Sequence, residues 1–260
     1  GLAQGPTVPT AVDITNSGDV FPPSRSKQTE AGVKLDWENY GATLGVYRIE
    51  QPNSATNNNP GSVTPQFPNG TRTFNVDGEQ INKGVELNVF GEPLDGLRLL
   101  AGATWMHTEL QNTSNGLSDG NRAAGVPRFQ YNLGADWDIP GLQGAAVNAR
   151  MLRTGGEYVN ATNTLSIPAW TRVDLGARYG FKADDKYITL RANVENVANK
   201  AYWASASTAN NYLTQGEPRT VKLGMRADGY VAVLDGLKAG LHLWDHSRFQ
   251  IWNKDPQLRN

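Results

Sequence analysis

The sequence predicts an all-β protein, an antiparallel up-and-down sheet of the kind that closes into a transmembrane β-barrel. Three observations predict it. Apolar and polar residues alternate with period two in one segment after another. The connections between those segments are alternately long and short. The 260 residues include 28 glycines and 14 prolines, which supply many turns, and no stretch of helical periodicity competes with the alternation.

The segments follow in order. In "VKLDWE", Val33, Leu35 and Trp37 oppose Lys34, Asp36 and Glu38. The stretch Thr43 to Ile49 alternates less cleanly. In "GVELNV", Val85, Leu87 and Val89 oppose Glu86 and Asn88. In "RFQYNLGADWD", Phe129, Tyr131, Leu133, Ala135 and Trp137 oppose Arg128, Gln130, Asn132, Asp136 and Asp138. "AVNARM" sets Val147, Ala149 and Met151 against Asn148 and Arg150. "TRVDLGARYGF" sets Val173, Leu175, Ala177, Tyr179 and Phe181 against Arg172, Asp174 and Arg178. "YITLRANVEN" sets Ile188, Leu190, Ala192 and Val194 against Thr189, Arg191, Asn193 and Glu195. "TVKLGMRAD" sets Val221, Leu223, Met225 and Ala227 against Thr220, Lys222, Arg226 and Asp228. A strand sends alternate side chains to opposite faces of its sheet.

Alternation alone leaves two readings open. In a soluble sandwich the apolar face is buried; in a membrane barrel it meets lipid and the polar face lines a hydrated interior. Connection lengths separate them. Long polar stretches at 5–27, 52–72, 111–127, 155–168 and 199–218 alternate strictly with short turns at "ENYG", "GEPLDG", "IPGLQG" and "KADDK". A meander then has every long loop at one end, the asymmetry of outer-membrane barrels and not of a Greek-key sandwich. Aromatics near strand ends suit the girdles at the two membrane interfaces: Trp37, Tyr40, Trp105, Trp137, Trp170, Tyr179, Phe181, Tyr187, Tyr202 and Trp203. Ordinary core packing is the competing account of those rings.

Composition removes other classes. A net charge of −1 offers no general attraction to nucleic acid. The absence of cysteine removes disulfides, thiolate metal sites and a cysteine nucleophile. No apolar run approaches the roughly 18 residues of a spanning helix. The first residue is Gly1, so processing or a longer parent chain is expected. No phosphate loop or nucleophile elbow is present, and no enzymatic activity is expected. The histidines are His107, His242 and His246. The last two are spaced i, i+4, but Gly240 and the local alternation argue against the helix that would make this a metal site. Asp119-Gly120-Asn121 reads as a turn.

Several stretches closely resemble one family: "SKQTEAGVKLDWENYGATLGVYRIEQPN", "DGEQINKGVELNVFGEPLDGLRLLAGATWMHTEL", "GNRAAGVPRFQYNLGADWDIPGL" and "PAWTRVDLGARYGF" followed by "ITLRANVENVANKAYWASA" and "YLTQGEPRTVKLGMRAD". In order and spacing they resemble the carboxy-terminal part of TonB-dependent ferric-siderophore receptors, over residues 1–228. The resemblance implies a segment of a 22-stranded barrel in the bacterial outer membrane, with long outer loops, short periplasmic turns, and Asp228 ending the last strand at the periplasmic rim. It implies a ferric siderophore as transported ligand, with no covalently bound cofactor. It also implies lipid around the wall, and TonB acting through a plug that this sequence does not contain, as it lacks the first half of the barrel.

Two departures from the family pattern matter. About nine or ten strands are visible, and an open half-barrel leaves two unpaired edges that lipid does not tolerate. The segment must find the rest of its wall, close a smaller barrel, or lie outside a membrane. The family ends near the last strand, whereas residues 229–260 continue as an atypical tail. There "GYVAVLDGLKAGLHLW" suggests an extra hairpin turning at Asp235-Gly236, and "DHSRFQIWNKDPQLRN" reads as polar. Ligand contacts are expected from the outer loops, at Tyr158, Tyr202, Trp203 and Tyr212, because Trp and Tyr faces suit polar aromatic chelates. An outer aromatic girdle competes for Tyr202 and Trp203. The lumen charges Arg172, Arg178 and Arg191 are expected to pair with Asp174 and Glu195. The expected function is siderophore uptake. The alternatives are a receptor-derived binding or assembly module, and a small plugless pore.

Overall fold

The computed structural model describes residues 5–207, 212–227, 230–237 and 249–253. Eleven strands form one sheet: β1 (Lys27–Asp36), β2 (Tyr40–Asn58), β3 (Arg72–Leu94), β4 (Leu97–Gln111), β5 (Phe129–Asp138), β6 (Ala145–Thr154), β9 (Trp170–Ala183), β10 (Lys186–Glu195), β13 (Thr220–Ala227), β14 (Tyr230–Leu237) and β15 (Phe249–Asn253). Each pairs antiparallel with its neighbour in that order. Two small hairpins, β7 (Glu157–Tyr158) with β8 (Ser166–Ile167) and β11 (Trp203–Ser207) with β12 (Tyr212–Gln215), decorate the long-loop end. Among the described residues β1 and β15 each have one partner.

Cross-strand register makes the alternation a property of the whole sheet. Leu35, Ala42, Val89, Ala101, Leu133, Met151 and Val173 form one continuous apolar row over seven strands. On the other face Arg98, Asp136, Asn148, Gly176, Asn193 and Lys222 form a polar row. Exposure then decides what each face meets. Along β9, Val173, Leu175, Ala177 and Tyr179 are exposed, while Asp174, Gly176 and Arg178 between them are partly covered. A water-soluble sheet shows the reverse order. Apolar-out and polar-in is the pattern of a wall in lipid. At Gly176 the side chains of Asn148 and Asn193 converge from both neighbouring strands over the space a Cβ would occupy. A glycine accommodates that convergence on the polar face.

The short turns are tight. Asp95-Gly96 joins Leu94 to its partner Leu97, and Gly96 has φ +77°, which glycine adopts without cost. Asp184 takes φ +53° in the turn between Ala183 and Lys186. One long connection is shorter than its polar stretch suggests. The strands β2 and β3, 19 and 23 residues long, run well past the apolar band, so only 59–71 remains between them. Residues before β1 fold onto the start of β3. Val8, Ile14 and Phe74 form a small buried cluster there, the Phe21 ring lies tilted 5.9 Å from that of Phe74, and Asp13 pairs with Arg72 at 2.6 Å.

The end of the chain departs from expectation. No turn forms at Asp235-Gly236: both residues lie inside β14, which follows β13 with a register shift between Val221 and Leu223. Residues 249–253 of the supposed polar tail form β15 against β14. Backbone pairing with an available edge outweighs the local turn signal. Asp228, His242 and His246 lie outside the described residues.

Candidate functional site

The inner face carries charges whose partners lie on particular strands. Arg172 pairs with Asp174 at 2.9 Å, and Asp174 also accepts the Asn196 amide at 2.9 Å. The Arg172 Nε is buried without a partner. Arg178 does not reach Asp174. It pairs with Asp136 and, at 2.7 Å, with Asp138, which Arg98 also contacts at 2.9 Å. The reason is register: Arg178 lies opposite Ala146 on β6, next to Asp138 and Asp136 on β5 one strand further on. Glu195 pairs with Lys222 across to β13, at 3.1 Å. Arg191 stands directly opposite Arg178 and has no carboxylate partner among the described residues.

Above this wall three outer connections interlock. Gly125 donates its amide to the Tyr158 carbonyl at 2.8 Å. The Asn121 amide group donates to the Ala161 carbonyl at 2.9 Å, and the Arg122 amide to Asn163 Oδ1 at 2.9 Å. Glu157 Oε1 accepts the Ala206 amide at 2.7 Å. Glu157 is buried, and desolvation pushes its carboxyl above the usual range despite that bond. Asp119 accepts both the amide and the hydroxyl of Thr113, which holds its carboxyl below the usual range and makes it a loop staple.

The four sequence-selected aromatics all sit at this end but not in one pocket. Tyr158 is half-buried in β7. Tyr202 packs 4.4 Å from Trp170 and interacts with Arg172. Trp203 and Tyr212 lie on β11 and β12 and are exposed. The structure therefore brings Tyr202 to Arg172 and Trp170, and brings the Tyr158 loop to the Trp203 loop through Glu157.

Sequence reasoning missed an inner-face cavity of about 410 Å³ at the outer end of β1–β4. Gln28, Glu30, Tyr47, Asn82, Glu86 and Thr108 line it. Every one of them has inner-face parity by register. Thr108 is almost fully covered, since its hydroxyl accepts the Ala123 amide at 3.1 Å. The signal was present in Glu30 and Tyr47, but β2 alternates poorly and β1 begins six residues before the "VKLDWE" stretch. Two larger apolar grooves, about 490 and 660 Å³, open on the outer face, one lined by Leu99, Leu133 and Met151 and the other by Ala177, Leu190 and Leu223. They are grooves of a lipid-facing wall.

Residues 1–197 match the family described as TonB dependent receptor-like, beta-barrel. The chain belongs to this family. It is 41% identical over 215 residues to the ferrichrome receptor FcuA of Yersinia enterocolitica, covering 83% of this chain and 27% of that protein. It is 29% identical over 210 residues to the ferrioxamine B receptor of Salmonella typhimurium, covering 79% and 28%. Among solved structures it superimposes on BauA, the ferric preacinetobactin receptor from Acinetobacter baumannii. That match has a TM-score of 0.75 and 38% identity, and covers 85% of this chain and 32% of BauA. The chain thus spans about a quarter to a third of these relatives. The receptor family places the sheet in the bacterial outer membrane, its long connections outside and its short turns at the periplasm.

Proposed function

We propose that this sheet is part of the wall and outer rim of a receptor that imports a ferric siderophore, acting in transport and not as an enzyme. The observation that carries the reading is the inner-face cavity beneath interlocked outer connections, on a wall that is apolar outside and polar inside. The named ligands of the relatives differ: ferrichrome, ferrioxamine B and ferric preacinetobactin. The ligand of this chain is therefore assigned to the class of ferric siderophores. Tyr158, Tyr202, Trp203 and Tyr212 are its aromatic contacts at the rim, and Tyr47, Glu30 and Glu86 are polar contacts deeper in. Arg172, held by Asp174, offers charge beside Tyr202. Further strands complete the barrel, and TonB drives uptake through a plug.

Uptake of radioactive iron tests this in cells lacking their own siderophore receptors and expressing the receptor that carries this segment. Import of at least one siderophore class, abolished by a protonophore, is the expected result. Tyr202→Ala and Tyr47→Ala each raise KM by roughly tenfold, the loss of one aromatic contact of about 1.4 kcal/mol. Import indifferent to a protonophore, or no import from any siderophore class, overturns the proposal.

A further inference from the structure

The outer connections fall into two bodies that meet along one seam. The first runs from the β2–β3 hairpin to β8. Ser114 Oγ accepts the Thr56 amide at 2.9 Å and Asn115 Oδ1 accepts the Asn58 amide at 2.7 Å, so the β4–β5 connection grips β2. The same connection holds the β7–β8 hairpin through Asn121, Arg122 and Gly125, and Asn163 Nδ2 returns a bond to the Arg122 carbonyl at 2.9 Å. The second body is the β10–β13 connection. Its foot is fixed by Asn196, almost fully buried, whose side-chain amide donates to the Lys200 and Glu217 carbonyls at 2.9 Å each. Above that foot the Gly216 amide donates to the Tyr202 carbonyl at 2.9 Å, where β11 closes onto β12.

Among the described residues a single hydrogen bond crosses the seam, from the Ala206 amide to Glu157 Oε1. Ile167 and Ala206 are buried there, and the Ala206 carbonyl oxygen lies against Gly125, 2.7 Å from where a Cβ would stand. Glu157 is 5% exposed and makes no ion pair among the described residues. No charge faces it from either hairpin. Glu157 is the only Asp, Glu, Lys, Arg or His between 154 and 171, and 203–215 contains none; Tyr158 and Tyr212 are the other titratable groups of those hairpins. The β4–β5 connection brings Arg122, which donates to the Met106 carbonyl at 3.2 Å, and Arg128, which repels it. The start of β9 brings Arg172, held by Asp174 and Tyr202. The foot of the second body carries Lys200, Glu217 and Arg219.

We propose that Glu157 is a proton-controlled latch on the outer mouth. Protonated, it holds the β7–β8 hairpin against β11 and the seam is shut; ionised, it lets go and the two bodies part. The two states differ in hydration. A neutral carboxyl accepts the Ala206 amide at little cost. A carboxylate sealed in an uncharged seam, with one amide donor and no cation, leaves most of its lost hydration unreplaced. Burial accordingly raises this carboxyl. The closed seam keeps its full advantage below the ordinary glutamate range and loses it as pH rises through the raised value. Tyr158 stands on one side of the seam, and Tyr202 with Arg172 at the foot of the other, so parting widens the approach to the aromatic rim. The purpose of the latch rests on the uptake reading; the latch itself is a property of the connections.

Spin labels at Leu165→Cys on the β7–β8 connection and Thr214→Cys on β12 report the seam in the complete receptor, reconstituted without siderophore. Both sites are exposed, and this chain has no cysteine of its own. Distance distributions from pulsed electron resonance are recorded from the carboxylate range up to neutral pH. The wild type is expected to show a short component in acid that gives way to a longer one. The closed-to-open ratio falls by up to about tenfold per pH unit between the ordinary and the raised carboxyl values, the limit for one proton. Glu157→Gln keeps an acceptor without a charge and holds the short component at every pH. Ala206→Pro removes the donated N–H and holds the long one. A wild-type distribution that does not move with pH, or a Glu157→Gln variant that titrates like the wild type, overturns the proposal. Heat-modifiable migration reports folding. Should Glu157→Gln lack it, the wild-type series and Ala206→Pro decide, and a short component surviving in Ala206→Pro is likewise fatal. Import over a seam that does not move refutes the latch alone; a moving seam in a receptor that imports no siderophore refutes the uptake reading alone.

Discussion

Leu133→Arg probes what the apolar face touches. Leu133 lies on the outer face of β5, in the row of Ala101 and Met151, and is 45% exposed. It is four residues from Phe129 and four from Trp137, the aromatics at the two ends of its strand. Four residues rise about 13 Å, or about 10 Å of depth at a tilt near 40°, so Leu133 sits near the middle of a band about 25 Å tall. An arginine there costs roughly 2–4 kcal/mol in lipid, a 30- to 700-fold loss in the folding equilibrium. On a water-exposed sheet the same change at a half-exposed site costs within about 0.5 kcal/mol. Urea titration of the assembled receptor in vesicles, read by heat-modifiable mobility, measures the difference. Phe129→Arg, at the interface, is expected to cost about 1 kcal/mol or less from charge burial, and Gln130→Arg on the inner face less still. A cost at Leu133 no greater than at Gln130 refutes the lipid-facing assignment.

Other perturbations follow the same reasoning. Burial raises the Glu157 carboxyl, so its contribution to the outer-loop clasp is present at low pH and fades as pH rises through that raised value. Glu157→Gln keeps an acceptor for the Ala206 amide without the charge, and is expected to flatten the pH dependence of amide exchange at Ala206. Gly144→Ala forces a left-handed residue, φ +82° in the glycine, and sets a Cβ on the Gly180 carbonyl oxygen, whereas Gly141 (φ +77°) faces open space. The first is expected to lower stability by about 2 kcal/mol or more and Gly141→Ala by about 1 kcal/mol, read as urea midpoints. Asp136→Asn leaves Arg98 and Arg178 without one of their two shared carboxylates. Because these side chains remain partly hydrated, the expected cost is about 1 kcal/mol, and a double-mutant cycle with Arg178→Gln should show coupling of similar size.

Much of this architecture was legible in the residues. Period-two alternation carries a strand's faces locally, and loop length carries its direction, since a short turn can only join adjacent antiparallel strands. That is why β5, β6, β9, β10 and β13 could be placed, and why their inner-face charges could be named. The family resemblance supplied membrane and transport together. Segments with poor alternation were harder. The long β2–β3 hairpin rises past the membrane, where neither face needs to be apolar, so its outer half looked like loop. Asp235-Gly236 looked like a turn because a dipeptide says nothing about the pairing available beyond it.

By itself the sequence determined the strand faces, the end-to-end asymmetry and the family. All three are written in neighbours one, two or ten residues apart. Only the tertiary structure decided partners. Arg178 meets Asp136 and Asp138 because of a register carried across two strand pairings, β5 with β6 and β6 with β9. Lys83 lines up with Arg48 and His107 for the same reason, and Glu157 meets Ala206 where two outer connections cross above the sheet. Such contacts join residues that sequence separation makes strangers, and cross-strand register, a sum over every bulge and turn between them, is what brings them together.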